Sequence, residues 1–210
     1  MELHRNGRAR IGTELHALIR QELLGIVAPA VQHAESLLLS TWRQQFLPQI
    51  EEVIACEAPL ASRSRYYTGT PDLIARVSGR WLTVDWKSKV SQDKARPDAA
   101  WPLQLAGYDL LAEEVYGIRL DGACNVMIWP GGCQEVDYPA DQIQSLRQRF
   151  VGHIAWAHAV KAVHGDADAA GALHHLLMME PEALNAATPP PGCGAWTVAQ
   201  VLGADHPAVR

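Results

Sequence analysis

The 210-residue chain has few cysteines (four), few phenylalanines (two) and no long apolar run. Cys56, Cys124, Cys133 and Cys193 are scattered and never form a C-x-x-C pair, which argues against a disulfide framework or a zinc clip. No stretch approaches the roughly 18 consecutive apolar residues of a membrane span. The opening MELHRNGRAR carries charge where a secretory signal needs an apolar region, so a cytoplasmic protein with no membrane partner is expected. No G-x-x-x-x-G-K-[ST] run occurs, which leaves out a P-loop motor. What is present, 48% apolar and 20% charged residues, fits a globular domain with a sizeable core and excludes a collagenous or low-complexity chain.

The formal net charge of −5 would by itself speak against a polyanionic partner, but it is unevenly spread. Residues 1–100 hold 13 basic and 11 acidic groups, whereas residues 101–210 hold 5 and 12. Within residues 61–100, Arg63, Arg65, Arg76, Arg80, Lys87, Lys89, Lys94 and Arg96 outnumber Asp72, Asp85, Asp93 and Asp98. That segment is either a solvated basic surface or an electrostatic footprint for phosphates.

Apolar residues at three- and four-residue steps predict a helix from Ile11 to about Val27, with Thr13 as N-cap and Pro29 as stop, and a second from about Ala30 to Phe46. Residues 51–60, 66–77 and 80–89 read as an antiparallel three-strand unit with a Ser78-Gly79 turn. Pro102 opens a helix carrying Leu105, Leu110, Leu111 and Val115, and Gly117 closes it. A buried strand at 122–129, a short partner at 134–138 and a long helix at 140–163 complete an α/β domain over residues 1–165. Residues 166–210 form a C-terminal extension, partly helical, with a Pro/Gly linker at 188–194.

A two-residue turn at Ser78-Gly79 pairs Val77 with Arg80, Ala75 with Leu82 and Leu73 with Val84, and sets Asp72 opposite Asp85. Leu73, Ala75, Val77, Leu82, Val84 and Trp86 then share a core face. Opposed carboxylates weaken a hairpin by on the order of 0.2–1 kcal/mol, so a cation is expected between them. Lys87 lies on the same face. Two acids and a lysine are either an exposed ion-paired hairpin or the equipment of metal-assisted phosphodiester hydrolysis, where acids hold a hard cation and the lysine orients the nucleophile.

Thr70-Pro71-Asp72 followed by Asp85-Trp86-Lys87 resembles the PD-(D/E)xK signature of the restriction-endonuclease-like nucleases. Gly12-Thr13-Glu14-Leu15-His16 resembles the Gly-Thr-x-x-His helix of RecB-type nuclease domains, Gly69-x-x-Asp72 the family's Gly-x-x-Asp form, and Gln104-Leu-Ala-Gly-Tyr108 the Gln-x-x-x-Tyr motif of the RecB branch. The resemblance covers residues 11 to about 130. It implies a restriction-endonuclease-like core, with a central mixed sheet of four to five strands flanked by helices.

It also implies roles. His16, Asp72, Asp85 and the backbone carbonyl of Trp86 would hold Mg²⁺ or Mn²⁺, Mn²⁺ being the more usual partner of an imidazole. Glu57, in the strand before the hairpin, would act as a second-metal or water-mediated ligand. Lys87 would assist the water, and Gln104 with Tyr108, four apart on one helix face, would organise Lys87, the water or a phosphate. Arg63, Arg65, Lys89, Lys94 and Arg96 would contact DNA phosphates. Some RecB-branch members bind an iron–sulfur cluster through four cysteines, but the spacing here does not match, so none is expected. His174 and His175 have no cysteine or carboxylate at metal-ligand spacing.

The expected function is a metal-dependent DNA exonuclease of phage or bacterial recombination and repair. Alternatives are a structure- or sequence-selective endonuclease with the same site and a non-catalytic nucleic-acid-binding or assembly module. Single- or double-stranded DNA is the expected partner, with room for a recombination or single-strand-binding protein. Nothing fixes the oligomeric state.

Overall fold

Two signals in the middle of the chain organise the fold: a Ser78-Gly79 turn and a nearly all-apolar run at 122–128. The computed structural model describes residues 2–26, 33–65 and 67–164. Ser78 (φ 47°) and Gly79 (φ 80°) both adopt left-handed backbone, as a type I′ turn requires. They join β4 (Leu73–Val77) to β5 (Arg80–Ser88) in the expected register, with Leu73 opposite Val84, Ala75 opposite Leu82 and Val77 opposite Arg80. β1 (Ile50–Cys56) flanks β4 antiparallel. β6 (Gly122–Trp129) lies parallel to β5, and β7 (Gly132–Pro139) returns antiparallel to β6. The result is a five-stranded mixed sheet of order β1-β4-β5-β6-β7.

Residues 66–77 do not form a single strand. Tyr67–Gly69 (β3) pairs with Leu60–Ser62 (β2) in a separate two-stranded sheet, and Thr70-Pro71 breaks the chain before β4. Proline cannot donate to a ladder, so the break falls there.

One face of the sheet packs on α1 (Glu2–Leu23) and α2 (His33–Gln45). Leu73, Ala75, Val77, Leu82, Val84 and Trp86 all lie in this core, as the alternation predicts, against Leu15, Ile19, Leu38, Trp42 and Phe46. Trp86 meets Trp42 and Phe46 edge-on, with ring centroids 6.0 and 5.2 Å apart. The other face carries α3 (Trp101–Tyr116), which makes the crossover between the parallel strands, and α4 (Ala140–His164).

Several element ends differ from the sequence reading. α1 begins at Glu2, so Thr13 sits inside it and is not its N-cap. It ends at Leu23, where Gly25 (φ 67°) closes a Schellman pair, Ile26 N–H to Gln21 O (2.8 Å) and Gly25 N–H to Glu22 O (3.1 Å). Pro29 is therefore not its stop. β7 is longer than expected because it pairs along all of β6. The extension at 166–210, with its linker and late histidines, lies outside the described residues, as does the start proposed for the second helix. Among the described residues no helix is long and apolar enough to cross a membrane.

Candidate active site

The site forms where the C-terminal end of β5 meets α1. Gly12 brings them together: a Cβ there would stand 3.2 Å from Ser88 Oγ, so glycine sets the closeness of helix and strand. One turn later His16 projects between β1 and β5. Its Nδ1 lies 3.0 Å from Glu57 Oε1 and 3.4 Å from Asp72 Oδ1, and its Nε2 lies 3.2 Å from the Trp86 carbonyl oxygen. Every partner is an acceptor, so the ring makes all these contacts only when both nitrogens carry hydrogen. Burial opposes that charge, but the hydrogen bonds and charges of Asp72 and Glu57 outweigh it and raise the His16 pKa to about 10.

Glu57 is held by strain as well as by charge. It lies just past the end of β1, not within it, with φ at 48°, a conformation costly for a residue with a Cβ, and its N–H donates to the Asp72 carbonyl oxygen at 3.0 Å. Asp72, 6% exposed, precedes β4 and lies outside the ladder that ends at Leu73–Val84. Its Oδ2 accepts the Trp86 N–H at 2.7 Å. Trp86 thus faces the core with its ring and the site with both backbone groups.

Asp85, 2% exposed, has different partners: Lys87 Nζ and Asn125 Nδ2, each 2.7 Å from its Oδ2. Burial first, and the charge of Asp72 second, push its pKa up to about 6 against the pull of Lys87 and His16. The sheet therefore gives each acid a separate cation, His16 for Asp72 and Lys87 for Asp85, where the sequence reading had one between them.

Asn125 was not foreseen. It lies beside Asp85 in the parallel β5–β6 register, fully buried, and its Oδ1 has no hydrogen-bond partner among the described residues. The available signal was a lone amide in the apolar run GACNVMIW. On α3, Gln104 Nε2 donates to Tyr108 Oη at 2.9 Å, and burial pushes the Tyr108 pKa up to about 12, so it stays a phenol.

The basic residues separate into two groups. Lys87 and Lys89 hold their ammonium groups 5.5 and 4.8 Å from the centre of the Trp101 ring, at the N-terminal end of α3. Lys94 and Arg96 are exposed on the segment between β5 and α3, with Lys94 3.3 Å from Asp93. Arg63 and Arg65 lie instead on the β2–β3 loop, tied to Glu114 on α3. Glu114 accepts the Arg63 N–H at 2.8 Å and the Arg65 guanidinium at 3.2 Å, roughly 15 Å along α3 from Gln104 by helix rise. The fold does not bring these two to the carboxylates.

The donor atoms of His16, Glu57 and Asp72 lie within 4.8 Å of one another. Two carboxylates and an imidazole suit a hard divalent ion, and the raised pKa of the ring between the acids marks a place that favours positive charge; to ligate an ion the ring would give up a hydrogen. Residues 8–171 match the family model of the PD-(D/E)XK nuclease superfamily. The chain belongs to that superfamily. Its members are nucleases that use divalent metals, which matches the donor set. Among curated protein sequences nothing matches. One similar solved structure, titled "Crystal structure of SSO0001", is 20% identical with a TM-score of 0.30, and the match covers 53% of each chain, about half of that structure's length.

Proposed function

We propose that this PD-(D/E)XK protein is a RecB-like, metal-dependent DNA exonuclease of the cytoplasm, working in recombination or repair, with its nuclease domain at residues 1–165. The observation that carries the reading is the adjacency of two acid sets at one strand end: His16, Glu57 and Asp72 within 4.8 Å, and Asp85 bonded to Lys87 at 2.7 Å.

His16, Asp72, Asp85 and the Trp86 carbonyl would hold Mg²⁺ or Mn²⁺, with Glu57 as an additional ligand. Bound there, the ion supplies Lewis-acid charge at the scissile phosphate and acidifies water. The protein's own groups do the positioning. Asp85 Oδ2 accepts from both Lys87 and Asn125, so Oδ1 would be the oxygen left for an ion. Lys87 uses one of its three hydrogens on Asp85 and keeps two for the attacking water and a phosphate oxygen. Gln104 donates to the Tyr108 oxygen, so the phenol's own hydrogen is free for a non-bridging phosphate oxygen. Because Tyr108 titrates only at about 12, it acts as donor and not as base. Lys89, Lys94 and Arg96 bind phosphates along the approach, and Arg63 and Arg65 do so at a more distant point.

Digestion of end-labelled linear DNA against covalently closed circles, with Mn²⁺, tests the reading. Linear DNA should be degraded from its ends and circles left intact. Cleavage of circles would identify an endonuclease, and absence of any cleavage a binding module.

A further inference from the structure

The face of α3 that borders the site carries more than the Gln104–Tyr108 pair. Trp101, Gln104 and Tyr108 are spaced i, i+3, i+7 and share one face. Trp101, at one end, is half-buried with the ammonium groups of Lys87 and Lys89 at its ring. At the other end a cavity of about 230 Å³ opens between Tyr67, Gly69, Gln104, Tyr108, Phe150 and Ile154.

The walls of that cavity are fixed. Tyr67 Oη donates to the Gly107 carbonyl oxygen at 2.7 Å, and its ring meets that of Phe150 edge-on at 5.1 Å. The rings lie against bare backbone: a Cβ at Gly107 would stand 2.4 Å from Phe150, and one at Gly69 2.9 Å from Tyr108. The fold thus uses glycine twice to seat these aromatics along the wall of the cavity.

We propose that this face of α3 is a single-strand nucleic-acid track, with one nucleobase stacked on Trp101, another in the Tyr67–Phe150 cavity, and the scissile phosphate over Gln104 and Tyr108 between them. This rests on the nuclease reading for the place of the phosphate and adds to it the class of substrate. Aromatic faces hold bases of any identity by stacking, and an ammonium group now over the Trp101 ring would move to the backbone as a base takes its place. Trp101 and Tyr108 are seven residues apart, roughly 10 Å along the helix. Stacked bases in a duplex strand follow each other at roughly 3.4 Å and face their partners, so paired bases cannot fill stations spaced this way. An unstacked strand can. Nothing on the face distinguishes deoxyribose from ribose, so the shared chemistry is an unpaired strand.

The test is equilibrium binding of short labelled oligonucleotides to the full chain in EDTA, with single-stranded DNA, single-stranded RNA and duplex DNA of one sequence, each single strand also carrying an abasic site at successive positions. Single strands should bind about 10-fold or more tighter than duplex, and the better-bound sugar then names the substrate. Trp101→Ala should weaken single-strand binding about 10- to 100-fold, and Trp101→Phe should restore most of it. Two abasic positions should weaken binding to the wild type, and Trp101→Ala should become indifferent at one of them only. Duplex bound as tightly as single strands, or Trp101→Ala binding like wild type, would overturn the track. If Lys87→Ala destroys cleavage while Trp101→Ala binds normally, the track falls and the nuclease reading stands. If wild type cleaves nothing but shows Trp101-dependent single-strand binding, the reverse holds.

Discussion

At one end of β5, Arg80 meets Asp137 with both side chains nearly half exposed (45% and 47%); at the other, Lys87 meets Asp85 with 24% and 3% exposed. The first pair is bidentate, at 3.0 and 2.9 Å, and pins the sheet's outer strand in water. Pairs of this kind contribute about 0–1 kcal/mol. The second is largely buried on the Asp85 side, where desolvation rivals the attraction and an apolar pair of similar volume often stabilises as well. One strand therefore holds the same charge pairing twice, once in an exposed place where it contributes little, and once in a buried place where the proposed catalytic role would account for it.

The largest test of that contrast is at the buried end. Lys87→Ala and Asp85→Asn should each reduce hydrolysis on the order of 10³-fold or more. The metal-free Asp85→Asn protein should melt close to wild type, because removing a charge that burial and Asp72 disfavour offsets the lost pairing with Lys87. Hydrolysis rates and thermal melts of the same preparations separate the two effects. Asn125→Ala comes next: freeing Asp85 Oδ2 should cost about 10- to 100-fold in activity or metal affinity, measured by titrating Mn²⁺ against the initial rate.

Acid should act on parts of the fold away from this end. His153 is fully buried, with neither ring nitrogen partnered among the described residues, and burial, helped by Arg149, lowers its pKa to about 4. The fold keeps it neutral, so its stability contribution is complete above about 6.5 and is lost as pH falls from there towards 4, by about 2 kcal/mol. Glu114 follows at lower pH. Burial works against its charge, but hydrogen bonds from Ser62, from Ser64 and from the Arg63 amide outweigh it and hold the pKa at about 2. Its contribution is complete above about 4.5 and disappears towards pH 2, roughly 1 kcal/mol. Urea denaturation of His153→Leu and Glu114→Gln across pH should remove the two windows separately. Smallest of all, Arg80→Ala should change stability by less than about 1 kcal/mol and leave hydrolysis untouched, checked by melt and rate.

The hairpin was legible because a two-residue turn fixes register, and a one-residue slip would have exposed Leu73, Val84 and Trp86. The convergence of His16 on Asp72 came from the resemblance alone: it depends on how closely α1 approaches β5 at Gly12, which no periodicity records. Asn125 was hidden for a related reason. Its meaning comes from the parallel β5–β6 register, set by the crossover through α3 and not by any local turn. Arg63 and Arg65 looked like neighbours of the hairpin because they are close in sequence, yet Thr70-Pro71 breaks the chain and Glu114 draws their loop to the far end of α3. Local chemistry reads well from sequence here, and contacts set by crossovers do not.

The most direct measurement is digestion of 5′- and 3′-labelled DNA, single- and double-stranded, by wild type and Asp85→Asn side by side, with and without Mn²⁺. Release of labelled product by the wild type alone, and only with the ion, is the expected result. Undiminished hydrolysis by Asp85→Asn, or none by the wild type with Mn²⁺ or Mg²⁺, would contradict the assignment of the buried end of β5 to catalysis.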